Sequence, residues 1–406
     1  MLGSQINKFL SLPEVKILRK RSKHNNIIEF EAHKTSSFEV CPKCATKSTK
    51  VYDHVYVRIK DMPIRDKIVF LKIKKRRFKC PECKSVFREP VNGIIKGFKS
   101  TRRFRTHIRW CASNFTDLKR VMKQCRCSAW FVYKAYYEQL ELEVRKLKYP
   151  WPKTIGIDEH SFVRNSKGHF REFATIVVDF NNNRIREACL GRSVADLENS
   201  RLMDVEGRKN VKNVVMDMSQ PYKKWVTQNF PNAIITSDKF HVVKLFNQVV
   251  NKVRIETMLH PLFVKSKRTP MRILYLSRRD RLDQTKRFVL DRINGLFPEL
   301  NEVYSFKERM LSIYNIKGHK RARTAFFKLT DAMALSKTKE VQSLRKTLMK
   351  WSTEILNYFR TKLSRQQTTK NGKTEGYNRK AKLIQRQAYG YRNFENYRLK
   401  LIYDCR

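Results

Sequence analysis

TIGIDEHSFVRNSKGHFREFATIVVDFNNNRIREACLG, residues 154–191, decides how this chain is to be read. It holds three apolar runs, TIGID (154–158), FATIVVDF (173–180) and RIREACLG (184–191), each too short for a helix and bounded by polar or turn-forming residues. Such runs are strands. A polar, charge-mixed segment, VADLENSRLMDVEGRK (194–209), suits a helix. A fourth strand, NVVMD (213–217), a helix, YKKWVTQNF (222–230), and a fifth strand, AIITSD (233–238), follow. Strands interleaved with helices predict an α/β core.

Working outward, Pro150-Trp151-Pro152 punctuates the chain just upstream and marks a domain boundary. Before it, residues 101–140 parse as three helices, TRRFRTHIRWCAS, DLKRVMKQ and SAWFVYKAYYEQL, with Ser128 near the N-cap of the third. The second and third, joined by Cys125-Arg-Cys127, have the length and short turn of a helix-turn-helix. A plain packing bundle would show the same spacing. Trp130, Tyr133 and Tyr137 read as its core. Further upstream, HVYVRIKDMP (54–63) and KIVFLKIKKRRFKC (67–80) alternate with period two and predict short half-buried strands. Downstream, helical periodicity runs almost unbroken and very basic from Phe240 to about Ser364, and again from about Thr374 to the end.

The chain has 406 residues and carries 88 Lys plus Arg against 37 Asp plus Glu, a net charge of +51. A polyanionic partner follows from that excess; a generally basic or ribosome-associated protein is the plainer alternative. The length suits two to four domains. No apolar stretch is long enough to span a bilayer, and the first twenty residues lack a signal-peptide pattern, so a cytosolic protein is expected.

Two Cys-x-x-Cys pairs, Cys41/Cys44 and Cys80/Cys83, each with Pro in the second position, are separated by strand-like sequence. Thiolates are soft donors, and two such knuckles complete a tetrahedral site whose four ligands make it structural. One Zn²⁺ is expected there. Lys74, Lys75, Arg76, Arg77 and Lys79 would give the module a phosphate-facing edge. The other five cysteines, Cys111, Cys125, Cys127, Cys189 and Cys405, read as buried free thiols.

Three acids stand out by context. Asp158 and Asp217 each end an apolar strand, and Glu375 lies near the start of the last helical stretch. Carboxylates so placed can converge on hard cations, and two such cations about 3.5 to 4 Å apart are the machinery of phosphodiester cleavage. Asp238, in Asp238-Lys-Phe-His241, also ends a strand and is the reserve for the second ligand. His241 is a ligand, a donor to the scissile phosphate, or a packed histidine at a helix start. Glu159 faces the opposite side of its strand and reads as a salt-bridge partner; Asp179 reads as paired with a basic residue.

The segments CPKC, RRFKCPECKSVF, GIDEHSF, VVMDMSQPY followed by FPNAIITSDKFHVV, and EGYNRKAKLIQRQAYGYRNFENYRLKLI together resemble one family, the insertion-sequence DDE transposases of the ISL3 type. The resemblance covers about residues 38 to 404. It implies N-terminal strands and a zinc ribbon (1–95), a helix-turn-helix DNA-binding domain (96–149), the first part of an RNase H-like catalytic core (150–244), a large helical insertion (245–365), and a C-terminal helical part carrying the third carboxylate (366–406). It implies catalytic roles for Asp158, Asp217 and Glu375 as ligands of two Mg²⁺ or Mn²⁺ ions, with Asp158 touching both. Its partners would be double-stranded DNA, as terminal inverted repeats and as target, and further copies of the chain in a dimer or larger synaptic complex, near a bacterial nucleoid and not at a membrane.

The final helical stretch adds Lys380, Lys382, Arg386 and Arg392 beside Glu375, a basic surface suited to phosphate. Tyr389, Tyr391, Phe394 and Tyr397 could stack on bases but read first as core. The competing function is a zinc-ribbon, helix-turn-helix DNA-binding regulator with an inactive RNase H-like domain; an RNA-binding protein without cation-dependent cleavage is a third. An intact carboxylate trio favours the enzyme.

Overall fold

The computed structural model describes residues 12–23, 26–94, 97–114, 117–147, 149–164, 171–260, 271–360 and 372–406. The start of the chain read above for a signal peptide, and parts of the long helical region at 261–270 and 361–371, lie outside them. Two compact units divide the chain, Met1–Glu143 and Val144–Arg406.

The first unit opens with β1 (Val15–Lys23) and β2 (Ile27–Lys34), an antiparallel pair. After the two-residue strands β3 (Glu39–Val40) and β4 (Lys47–Ser48) come β5 (Val51–Ile64), β6 (Lys67–Lys79) and β7 (Val86–Arg88). The sheet order is β1-β2-β6-β5, with β7 paired to β6. The expected short strands at 54–63 and 67–80 are thus one long hairpin, closed by Arg65 and Asp66 at φ 49° and 59°. Positive φ at both positions matches the turn to the strands' right-handed twist. Val69, Leu71 and Ile73 alternate inward onto Phe30, Ala32 and Ile59, and this apolar face holds the sheet together.

Three helices follow: α1 (Arg102–Asn114), α2 (Leu118–Cys125) and α3 (Ala129–Lys146). Asp117 caps α2 by accepting from the Arg120 amide, and Ser128 accepts from the Phe131 amide at 3.4 Å at the start of α3. Phe104 of α1 stacks on Phe131, while Val132, Ala135, Tyr136 and Leu140 form the buried side of α3. Trp130 and Tyr133, expected in the core, are 64% and 42% exposed, because the buried stripe is set by positions 132, 135, 136 and 140 and leaves both on the outer face.

The second unit is built on a sheet of β8 (Thr154–Arg164), β9 (Arg171–Asp179), β10 (Arg184–Leu190), β11 (Asn213–Met216) and β12 (Ile234–Ser237) in the order β10-β9-β8-β11-β12. β8, β9 and β10 are antiparallel neighbours; β11 runs parallel to both β8 and β12. All five expected strands are present. The helix expected at 194–209 is not one helix: α4 covers Val194–Glu198, then two single 3₁₀ turns follow. Ser200 accepts from the Leu202 amide and Gly207 takes φ 84°, so side-chain competition and a left-handed glycine break the run.

Helices cover both faces of this sheet. Ile155, Ile157, Val214 and Met216 pack with Tyr222, Trp225 and Val226 of α5 (Gln220–Asn229) and with Val242, Phe246 and Val250 of α6 (Lys239–Met258). The same core continues through α7 (Met271–Leu276), α8 (Gln284–Leu296), α9 (Pro298–Ile313), α10 (His319–Ala334), α11 (Lys339–Lys350) and α12 (Ser352–Asn357). On the other face, Ala174, Ile176, Val178 and Ile185 meet Ala381 and Ile384 of α13 (Gly372–Gln387) and Tyr397, Leu401 and Ile402 of α14 (Phe394–Asp404). Glu187 of β10 and Arg398 of α14, both nearly buried, form a two-pronged ion pair with both contacts at 2.5 Å, which fixes α14 in place.

Candidate active site

Ile157 and Met216 are partners in the parallel ladder, and Met216 is in turn the partner of Ser237. The next residue in each of the three strands is an aspartate: Asp158, Asp217, Asp238. Parallel pairing in register therefore sets three carboxylates side by side: Asp217 and Asp238 directly follow the ends of β11 and β12, whereas Asp158 lies within β8, which runs on to Arg164 and does not end at the aspartate as expected. Ile155 and Ile157 face the α5–α6 core, so Asp158 and His160 face the α13–α14 side.

The helix α13 brings the fourth acid. Asn378, one turn beyond Glu375, donates through Nδ2 to Asp158 Oδ2 at 2.5 Å. Glu375 itself accepts from Arg379 at 2.6 Å and adds its charge to the field around Asp238. His160 Nε2 and the Tyr397 hydroxyl are 2.7 Å apart, a second tie between β8 and the C-terminal helices.

His241, on the first turn of α6, stands among the aspartates. Its Nδ1 lies 2.7 Å from Asp217 Oδ1 and its Nε2 3.9 Å from Asp158 Oδ1. Burial disfavours a charged ring, but the hydrogen bond to Asp217 and the charges of Asp217, Asp158 and Asp238 outweigh it and raise the His241 pKa. Burial also acts upward on Asp217, and there the His241 contact wins and holds the carboxyl below its ordinary range. At Asp158 burial wins: His241, farther away here, and the Glu159 amide pull the carboxyl down, but burial, with the Asp238 and Asp217 charges adding to it, pushes it up to about 6. Asp238 is raised for the same reasons, and its side chain is engaged in capping α6 through the Phe240 amide at 3.0 Å. Asp217 is engaged as well, accepting from the Met218 amide at 2.6 Å beside its contact to His241.

The acids are gathered by a shared field and are not closed to ligating distance; groups of three or more His, Cys, Asp or Glu donor atoms within 4.8 Å of one another occur, among the described residues, in the first unit only. The donor set is nonetheless all hard oxygen, and the side-chain oxygen of Asn378 is buried without a hydrogen-bond partner beside Asp158. Hard divalent cations take such donors.

Other expected site residues fall as follows. Glu159 is a salt-bridge partner, to Arg192 at 3.3 Å, and accepts from the Tyr222 hydroxyl at 3.2 Å. Asp179 is fully buried, closes the turn after β9 by accepting from Asn181 and Asn182, and lies 3.9 Å from Arg184. Lys74, Lys75, Arg76 and Arg77 follow one another on β6 and are each half-buried. Arg76 is bound to Glu89 and Ser36, and Arg77 to Asp53. Lys382, Arg386 and Arg392 are exposed, while Lys380 donates to the Asp404 carbonyl. Tyr397 is buried, Tyr391 and Phe394 pack against the same core, and Tyr389 stands 92% exposed. Asn378 and Arg379 were not singled out by sequence; their spacing of three and four from Glu375 on one helix face is the signal that could have found them.

In the first unit the four ribbon cysteines have their sulfurs within 4.8 Å of one another, with Cys41–Cys83 at 3.6 Å and Cys44–Cys80 at 3.4 Å. A tetrahedral ion with Zn–S bonds of about 2.3 Å requires sulfur separations of about 3.8 Å, so the cluster suits structural zinc with little adjustment.

The sequence model of the ISL3 family DDE domain, described as a transposase, matches residues 155–401. The chain belongs to this transposase family. A second family model, the zinc-finger of transposase IS204/IS1001/IS1096/IS1165, matches residues 37–83 and so covers all four ribbon cysteines. The ISL3 chain is also 25% identical over 381 residues to the transposase for insertion sequence element IS1001 of Bordetella parapertussis, spanning 90% of this chain and 89% of that relative. Among the described residues no helix of this transposase is long and apolar enough to cross a membrane.

Proposed function

We propose that this transposase binds the terminal inverted repeats of its own element and performs metal-dependent cleavage and joining of DNA strands. The single observation that carries the reading is the register of β8, β11 and β12, which aligns Asp158, Asp217 and Asp238, with α13 bringing Glu375 to the same end of the sheet. The strand order, three antiparallel strands joined to two parallel ones with β8 central, supports an RNase H-like core interrupted by a helical insertion over about residues 245–365.

Asp158, Asp217 and Glu375 would hold two Mg²⁺ or Mn²⁺ ions, which when bound activate the attacking oxygen and stabilise the leaving one. Asn378 orients the Asp158 carboxylate, and His241 offsets the negative charge of the aspartates until cations do so. Lys382, Arg386 and Arg392 face solvent on the same C-terminal segment and would hold phosphates near the scissile bond. The attacking group is water at the element end, and the 3′ hydroxyl so freed at target DNA. The helices α2 and α3 would act as the helix-turn-helix, with Trp130 and Tyr133 on its outer face. Synapsis of two ends calls for a dimer or larger assembly.

The test is nicking of a duplex carrying the terminal repeat. Cleavage is expected only with Mg²⁺ or Mn²⁺, and Asp158→Ala should abolish it while end binding persists. Undiminished cleavage by that variant would remove the assignment, and a chain that binds ends without ever nicking them would be the regulator instead.

A further inference from the structure

His107 and Cys111 stand four residues apart on α1, which puts both on one helix face. Cys125 is the last residue of α2, and the chain turns there through Arg126 at φ 47°, with the Cys127 amide bonded to the Met122 carbonyl at 3.0 Å. The donor atoms of His107, Cys111 and Cys125 lie within 4.8 Å of one another. His107 Nε2 is 3.5 Å from Cys111 Sγ. A tetrahedral zinc with Zn–N of about 2.0–2.1 Å and Zn–S of about 2.3 Å sets a nitrogen-to-sulfur separation of about 3.6 Å. The pair is therefore already spaced for a shared ion.

The geometry points to a second structural zinc site, in the helical bundle, ligated by His107, Cys111 and Cys125 and separate from the four-cysteine ribbon. Both thiols are buried, and burial pushes Cys125 up to about 12 and raises Cys111, so in the absence of a cation both keep their protons. Binding exchanges two thiol protons for one Zn²⁺. Two thiolates and a neutral imidazole then cancel the charge of the ion, which makes an uncharged unit that a bundle interior tolerates. The Trp110 ring lies nearly parallel to that of His107, with centroids 6.4 Å apart. A fourth tetrahedral position remains for water; Cys127 lies outside the cluster, its sulfur donating to the Cys125 carbonyl at 3.3 Å and accepting from Lys60 at 3.5 Å. Such an ion would clamp α1 to α2, fixing the helices that precede α3.

The measurement is zinc per full-length chain by elemental analysis, after dialysis against excess magnesium to clear the carboxylate site. The wild type should hold two, Cys41→Ser/Cys44→Ser one, and Cys111→Ala/Cys125→Ala one. A wild type holding one zinc and a ribbon variant holding none would overturn the proposal, as would a Cys111–Cys125 disulfide in peptide mapping. Should the core double variant fail to fold, cobalt is loaded into the ribbon variant: its tetrahedral thiolate spectrum should be present and should be lost in His107→Ala. Absence of that spectrum refutes the site.

Discussion

Asp158→Asn should make the metal-free protein more stable while ending its ability to nick DNA. In the folded chain burial and the neighbouring aspartates hold the Asp158 carboxyl at about 6, against an ordinary value of 3.8. Each unit of such a shift corresponds to about 1.4 kcal/mol, so ionised Asp158 costs the metal-free fold at most about 3 kcal/mol. The sign follows from linkage. Below pH 3.8 the group is protonated whether the chain is folded or not and nothing is lost; as pH rises through about 6 the folded state must ionise a buried acid and the full cost appears. Asparagine keeps the shape, can still accept from the Glu159 amide, and never ionises; its NH2 replaces the oxygen that accepted from Asn378, whose own unpartnered side-chain oxygen can turn to accept from it.

Thermal melts in EDTA are the assay, at about pH 5 and about pH 7.5. At the higher pH the variant should melt several degrees above wild type, since about 1 kcal/mol moves the midpoint of a domain this size by roughly 2–4 °C. At the lower pH the gap should narrow. Magnesium should raise the wild-type midpoint and not the variant's, because only the wild type retains the anionic ligand. A variant no more stable than wild type in EDTA at the higher pH would show that burial and the neighbouring aspartates do not together raise Asp158, and the shared-pocket argument would fall with it.

Three further outcomes follow from the same contacts. Cys80→Ser should release the ribbon zinc and weaken binding to the element end; unchanged zinc content refutes the ribbon. His241→Ala should lower the metal-free melting point and enlarge the shift produced by magnesium, since the ring offsets charge that cations would otherwise offset. Its raised pKa makes that loss full below pH 6.5 and fading at alkaline pH, where the wild-type ring also loses its proton; a magnesium shift equal to wild type's would exclude the role. Lys382→Ala and Arg386→Ala should each flatten the dependence of log affinity on log salt by about 0.9 if each side chain meets one phosphate, and an unaltered slope removes that contact.

The sheet of the second unit was legible because its strands are apolar runs with polar ends, which a local pattern captures. β1 and β2 were not marked out individually, because a strand reading VKILRKRSK alternates against a background so rich in Lys and Arg that its period is hard to separate from bulk charge. The long hairpin was underestimated for want of an Asn-Gly or Asp-Gly turn; Arg65 and Asp66 adopt the same backbone without that signature. Trp130 and Tyr133 misled because residue type was weighed above position: one step away, Val132 and Ala135 define the buried stripe.

The candidate site shows where local reading ends. Each aspartate announces itself as the terminus of an apolar run, but their adjacency depends on strand order, with β11 seated between β8 and β12, and on pairing without slippage. A slip of one residue in β11 would turn Asp217 to the opposite face and bury it against Tyr222 and Val242. The apolar partners Val214 and Met216 oppose this, since the slip would take both out of the α5–α6 core, where burial of each contributes about 1.5–3 kcal/mol. The packing that stabilises the sheet therefore also fixes which carboxylates meet, and the distance from Asp158 to Glu375 in sequence is bridged by a single helix whose Asn378 reaches Asp158 within β8. Removing that amide with Asn378→Ala would leave the sheet intact and release only the C-terminal acid's alignment, which is why cleavage should fall further than stability in that variant.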